Sequence, residues 1–226
     1  QRLREAGDAF ELALAADPNF APNRVYLAMT RLMLGQPEQA LVHAEFIRSA
    51  APQSSGANLL LGIAQASHAD YNQARKALES SLASDPDNVA TVQLLSTISL
   101  LQGDNKAALS YAKRLSALRP DAAGTANTLM MAQLLAGATV PEPPAGTVDA
   151  FHAAFIQALQ AFRDNKFDDA AKRAEALRSA HPDQLGPINL LAAVYLSTGQ
   201  WPKARTELEV VLQRQPDDSI ARINLA

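Results

Sequence analysis

The sequence contains no cysteine, few aromatic residues and no long apolar run, and each absence removes a class of protein. Without cysteine in its 226 residues, the chain has no disulfide framework and no thiolate metal site. This composition suits cytosol and periplasm equally, so it does not locate the protein. No stretch approaches the roughly 20 apolar residues of a membrane-spanning helix. The net charge is −3 and the basic residues are scattered, which argues against nucleic-acid binding.

Alanine and leucine dominate what is present. Hydrophobic residues make up 48% of the chain, whereas aromatic residues make up only 5%. Alanine and leucine are strong helix formers, and alanine lets two helices approach closely. The composition therefore predicts an all-α protein.

Prolines recur at a fixed interval and define an internal repeat. A spacing of 34 residues separates the members of two series, Pro18, Pro52, Pro86 and Pro120, and then Pro182 and Pro216. An alanine stands 12 residues before each of these prolines, at Ala6, Ala40, Ala74, Ala108, Ala170 and Ala204. A turn residue stands 17 residues before five of them, at Gly35, Gly103, Asn165 and Gly199, with Ala69 as the exception. Since proline closes a helix and Gly or Asn ends one, each unit is predicted as helix, turn, helix and proline.

This pattern resembles the tetratricopeptide repeat, with another helical-hairpin repeat as the alternative. The matching residues in one unit are Leu61, Gly62, Asp70, Tyr71, Ala74, Leu78, Asp85 and Pro86. Those in a later unit are Leu191, Ala192, Tyr195, Gly199, Trp201, Ala204, Leu208 and Pro216. The aromatic residue that the family favours early in the first helix is replaced, for example by Arg24, Asn58 and Val92. The resemblance implies a right-handed superhelical solenoid of antiparallel helix pairs.

The expected organisation has two modules joined by a linker. The first module, 1–137, holds a partial unit, full units at about 21–52, 55–86 and 89–120, and a lone first helix. The second, 149–226, holds full units at about 150–182 and 185–216 and a partial unit. Residues 138–148 form a predicted extended linker, because Pro141, Pro143 and Pro144 exclude a helix and favour polyproline II. The linker is either a hinge or ligand-contacting strap, or the remnant of a repeat that lost a helix. Both ends fall within a repeat, so we expect a longer array.

The resemblance also implies where a partner binds. In this family the first helices line the concave face, and stacked units offer an extended binding surface. The inward positions are mostly apolar, and we predict that a partner contacts Met29, Met33, Ile63, Gln93, Asn127, Met131, Phe155 and Asn189. Only one inward cation, Arg163, is available, which argues against the family's clamp for a C-terminal carboxylate. Asn127 and Asn189 do not form the run that an asparagine ladder needs.

No pattern for catalysis, metal binding or a cofactor is found. The four histidines, His43, His68, His152 and His181, lack the spacing of a metal site. There is no glycine-rich phosphate loop and no nucleophile elbow. The Asp168-Asp169 pair opens a second helix, where negative charge complements the helix dipole. We expect no enzymatic activity, no metal and no cofactor.

The predicted function is a non-catalytic scaffold that binds a protein or peptide segment in an apolar groove, without nucleic acid and without membrane insertion. A narrower resemblance rests on Ala204-Arg205, Leu208-Glu209 and the ending 221–226. These segments are similar to the tetratricopeptide lipoproteins of bacterial exopolysaccharide and PEP-CTERM systems, which favours the periplasm or cell envelope over the cytoplasm. The alternatives are a positioning module of a larger enzyme and a cytoplasmic assembly scaffold.

Overall fold

The computed structural model describes residues 2–120, 122–141 and 149–225. Within these ranges the chain forms thirteen α-helices and no strand, so the predicted all-α fold is confirmed. None of the helices in the described ranges is long and apolar enough to cross a bilayer. The chain divides into two compact units, Gln1–Arg119 and Pro120–Ala226.

The first unit contains a single second helix followed by three helix pairs. In chain order the helices are α1 (Arg2–Ala16), α2 (Ala21–Met33), α3 (Pro37–Ala50), α4 (Ser55–Ser67), α5 (Tyr71–Ser84), α6 (Val89–Leu101) and α7 (Asn105–Leu118). The first helix of each pair also lies beside the first helix of the next, so that α4 contacts both α2 and α6. These bounds confirm the predicted units.

The second unit begins with a first helix that is not followed by a second one in the described residues. Its helices are α8 (Ala123–Leu135), α9 (Ala150–Arg163), α10 (Phe167–Ala180), α11 (Leu185–Ser197), α12 (Trp201–Arg214) and α13 (Ser219–Leu225). The pairs are α9 with α10 and α11 with α12. Asp168 and Asp169 lie in the first turn of α10, as predicted.

The turn inside each unit adopts a left-handed backbone. Gly35, Gly103 and Gly199 have φ of 70°, 71° and 71°, and Asn165 has φ of 60°. Ala69, the exception in sequence, has φ of 63° and adopts the same conformation. The geometry of the turn therefore overrides the residue type, and Ala69 carries a steric cost that glycine does not.

Replacing Ala69 with glycine is expected to raise the free energy of unfolding by about 1 kcal/mol, because glycine adopts positive φ without a Cβ penalty. The matched reverse change is Gly103→Ala, which should lower the free energy of unfolding by a similar amount. Urea denaturation followed by circular dichroism measures both. Equal stabilities for the two variants and the parent chain would contradict the backbone argument.

Small residues hold the two helices of a unit close together. The alanines predicted at the contact, Ala40, Ala74, Ala108, Ala170 and Ala204, are all buried. Gly62 on α4 faces them in the second pair: a Cβ added there would lie 2.6 Å from Leu78 Cγ and 3.3 Å from the Ala74 carbonyl oxygen. Because neither helix can accept a larger side chain at this contact, the spacing of small residues fixes how the pair packs.

The proline carbonyls show what replaces the missing aromatic residue. Six residues after the closing proline, Arg24 donates to the Pro18 oxygen at 2.8 Å, and Asn58 donates to the Pro52 oxygen at 2.8 Å. Arg222 binds the Pro216 oxygen in the same way.

An apolar residue at this position is accompanied by a different donor. Val92 and Ile188 are buried, and the preceding proline oxygens accept from an arginine in the second helix of the same unit. These bonds join Arg114 to Pro86, and Arg214 to Pro182 at 2.7 Å. Each of these turns is therefore tied by one hydrogen bond from either of two places.

The start of the predicted linker is non-helical and packs on α9. Arg163, at the end of α9, donates to the Leu134 carbonyl at 3.1 Å and to the Ala138 carbonyl at 2.8 Å. The carboxyl ends of α8 and α9 therefore lie together, as in two successive first helices. The Val140 amide donates to Gln160 Oε1 at 2.7 Å, and its side chain is buried. Residues 142–148 lie outside the described residues.

The compact unit that contains α8 thus also contains α9, and the boundary between units falls at 119/120. The predicted modules, 1–137 and 149–226, and the hinge between them stay a prediction.

Val140→Ala is expected to lower the free energy of unfolding by about 1–1.5 kcal/mol, since the valine methyls pack against Met130, Leu134 and Ile156. Thr139→Ala, at an exposed neighbouring position, should change stability by less than about 0.5 kcal/mol. Thermal unfolding of both variants, followed by circular dichroism, provides the comparison. Equal melting temperatures would show that this stretch contributes nothing to the fold.

Candidate partner-binding groove

An apolar groove lies between two neighbouring first helices, α2 and α4. From α2 it is lined by Val25, Met29, Leu32 and Met33, and from α4 by Gly56, Ala57, Leu59, Leu60 and Ile63. Ile47, Ala51 and Ser54, from the end of α3 and the following turn, form its remaining wall. The volume is about 550 Å³. We call this site the α2–α4 groove.

Two methionines form the exposed edge of the α2–α4 groove. Met29 is 49% exposed and Met33 is 67% exposed. Both lie on α2 on the side that faces α4, four residues apart, so they share one face of the helix. Methionine is flexible and polarisable, and it can adapt to apolar groups of different shape. Exposed apolar side chains in such a groove usually mark an interaction site.

The α2–α4 groove contains no charged residue. Helices α4 and α6 carry no Asp, Glu, Lys or Arg at all. The two arginines of α2 are engaged elsewhere: Arg24 lies over the Phe46 ring at 3.7 Å, and Arg31 binds Glu11 and Gln36. The one polar lining side chain, Ser54, accepts from the Ala57 amide at 3.3 Å. The groove is therefore built for an uncharged, apolar surface.

The predicted contact residues of the first unit are partly brought together. Met29, Met33 and Ile63 line the α2–α4 groove. Gln93 is exposed on α6 and does not line it. Sequence periodicity also did not indicate Ile47, Ala51 or Leu60. The small residues around Pro52, which are Ala51, Gly56 and Ala57, are the signal that could have indicated a hollow there.

The predicted residues of the second unit lie in different surroundings. Asn189 is exposed and lines a smaller cavity of about 240 Å³ with Ile220 and Asn224. Asn127 is half-buried. Met131 packs beside Val140, and the Phe155 ring lies where a Cβ on Gly186 would be 2.9 Å from its Cζ atom. Within this unit, Met131 and Phe155 therefore contribute to packing between first helices.

Titratable groups are concentrated on or near second helices. Burial, followed by the positive charges of Arg24 and Arg31, lowers the pKa of His43 on α3. His152, which was a candidate for the groove, lies beside the Asp149 carboxylate, with Nδ1 to Oδ1 at 2.9 Å. Among the described residues, no three His, Asp or Glu side chains cluster so that they could hold a metal ion.

A buried carboxylate ties three helices of the second unit. Glu207 on α12 accepts from Arg178 Nη1 of α10 at 2.6 Å, and its other oxygen has no hydrogen-bond partner in the described part of the chain. Tyr195 of α11 donates to Glu175 at 3.1 Å. Burial, together with this hydrogen bond, raises the pKa of Tyr195. The cluster is a structural tie, since it joins α10, α11 and α12.

Comparison with known families decides the class of this helical array. The family model described as tetratricopeptide repeat matches residues 31–98 and 161–224, which is more than half of the chain. The chain belongs to the tetratricopeptide repeat family. Such proteins are in general non-catalytic scaffolds, and their fold is associated with protein or peptide partners. A sequence search against curated proteins finds no match.

Solved structures share the fold of this tetratricopeptide repeat protein at low sequence identity. A tetratricopeptide repeat protein from Parabacteroides merdae is 14% identical with a TM-score of 0.72, over 85% of this chain and 79% of that one. The C-terminal part of a repeat protein from Cytophaga hutchinsonii is 15% identical with a TM-score of 0.63, over 100% and 95%. The structure of Naa15/Naa10 bound to HypK-THB is matched at 17% identity and a TM-score of 0.50, over all of this chain. This chain spans only 36% of that relative's length.

Proposed function

We propose that this protein is a non-catalytic interaction scaffold that binds an apolar, uncharged segment of a partner protein in the α2–α4 groove. The observation that carries the proposal is a groove of about 550 Å³ with two exposed methionines on its edge and no charged side chain in its lining. A charged partner residue placed there would lose its hydration without gaining a counter-charge. The partner is therefore selected by its apolar residues.

Placing a charge on the edge of the groove tests this function. Met33→Glu is expected to weaken binding of peptides selected by display against the parent chain by at least about tenfold, or about 1.4 kcal/mol. The matched control is Val42→Glu, because Val42 is 63% exposed, close to the 67% of Met33, and lies on a second helix. The selected peptides should be rich in Leu, Ile, Met and Phe. Equal binding to both variants would contradict the proposed site.

We further propose the bacterial envelope, in exopolysaccharide export or assembly, as the setting of this scaffold. The similarity of 204–209 and 221–226 to the envelope lipoproteins supports it. Fractionation of cells that express the protein, followed by immunoblotting, tests this setting. Recovery in the cytoplasmic fraction would favour the two alternatives, a cytoplasmic assembly scaffold or a positioning module of a larger enzyme.

A further inference from the structure

The lining of the α2–α4 groove offers a bound chain almost no hydrogen-bonding group. Its side chains are aliphatic or thioether groups, apart from Ser54, and the Ser54 hydroxyl oxygen already caps α4 through the Ala57 amide. The backbone groups of α2 and α4 are used within the helices. A partner therefore finds apolar surface along the whole groove and no series of donors or acceptors.

This lack of hydrogen-bonding groups distinguishes between two kinds of bound segment. An extended segment carries an N–H and a C=O at every residue, and those facing the lining would lose water without gaining a partner. Each such group costs about 1–3 kcal/mol. A helix satisfies its backbone internally and presents only side chains to a groove. The α2–α4 groove therefore favours a helix.

The volume of the groove indicates how many side chains it accepts. An apolar cavity of roughly 150 Å³ holds one benzene-sized group. The groove, at about 550 Å³, thus corresponds to about three such groups. Three apolar side chains on one face of a helix occur at spacings of three or four residues, over about two turns.

We infer that the occupant of the α2–α4 groove is the apolar face of an amphipathic helix, about two turns long at the contact, with no charged residue on that face. This inference rests on the proposed function and adds the conformation of the partner. Met29 and Met33 lie one helical turn apart on α2 and adapt their side chains to the partner's apolar residues. The polar face of the partner helix remains in water.

Two peptide probes of equal composition test the conformation of the partner. Both are fluorescein-labelled 20-residue peptides of leucine, glutamine, lysine and glutamate without net charge. One has leucine at helical spacing, and the other has leucine at every second position, as on a strand. Fluorescence anisotropy measures binding to the full chain, and circular dichroism difference spectra measure the helix content gained on binding. The helical probe should bind at least about tenfold more tightly and gain helix content.

The variants separate failure of this inference from failure of the proposed function. Met33→Glu should weaken binding of the helical probe by at least about tenfold, whereas Val42→Glu should leave it within about twofold. Tighter binding of the strand-patterned probe, if sensitive to Met33→Glu, would overturn the helical partner and leave the groove as the binding site. If Met33→Glu leaves the binding of both probes unchanged, both proposals fail.

Discussion

Replacing Ala74 with leucine is expected to lower the free energy of unfolding by about 1–3 kcal/mol. Ala74 is fully buried between α4 and α5. Its carbonyl oxygen lies 3.3 Å from the position of a Cβ on Gly62, so the two helix backbones are already close. Three additional carbon atoms cannot be accommodated unless the helices separate. Urea denaturation of the full chain, followed by circular dichroism, gives the change in stability.

Ala83→Leu is the matched control for Ala74→Leu. Ala83 lies on the same helix, α5, but is exposed. Alanine and leucine are both strong helix formers, so the change there should stay within about 0.5 kcal/mol. A parent-like midpoint for Ala74→Leu would mean that this position does not form the contact between the helices.

Replacing Arg178 with leucine should also lower the free energy of unfolding by about 1–3 kcal/mol, because it leaves a buried acceptor without its partner. The Glu207 side chain is only 8% exposed, whereas that of Arg178 is 41% exposed. The expected cost therefore comes mainly from the carboxylate that remains. Chemical denaturation near neutral pH, where the carboxylate is ionised in the unfolded chain, measures this cost.

Two further variants show whether the buried carboxylate is the cause. The double variant Arg178→Leu/Glu207→Leu removes both partners and should regain at least part of the lost stability. Arg205→Leu breaks the exposed pair of Arg205 with Glu209 on α12 and should cost no more than about 0.5 kcal/mol. If Arg178→Leu costs no more than Arg205→Leu, the buried pair adds nothing to the fold.

The helix bounds could be predicted from the sequence because the signals for them are local. Pro18 and Pro52 close their units, and Gly35 turns between α2 and α3, whatever the distant parts of the chain do. Ala69 shows the limit of such signals. Its residue type does not indicate a left-handed backbone, and only its place in the repeat does so.

The candidate site could be predicted only in part. Helical periodicity places Met29, Met33 and Ile63 on the faces that line the α2–α4 groove. The depth of the groove depends on how the end of α3 meets the start of α4, which brings in Ile47. Phe155 lies on the corresponding face of α9, but its ring packs against Gly186. Such contacts join residues that are distant in sequence, and one helical pattern does not reveal them.

The two ways of binding the proline carbonyls have a consequence for comparing arrays of this kind. A unit with Asn58 needs no arginine late in its second helix to satisfy the preceding proline, whereas the unit with Val92 relies on Arg114. These two positions should therefore covary among related repeats. A substitution of Val92 by asparagine would allow Arg114 to be lost, and a position-by-position identity score would count both changes as divergence although the turn is tied as before.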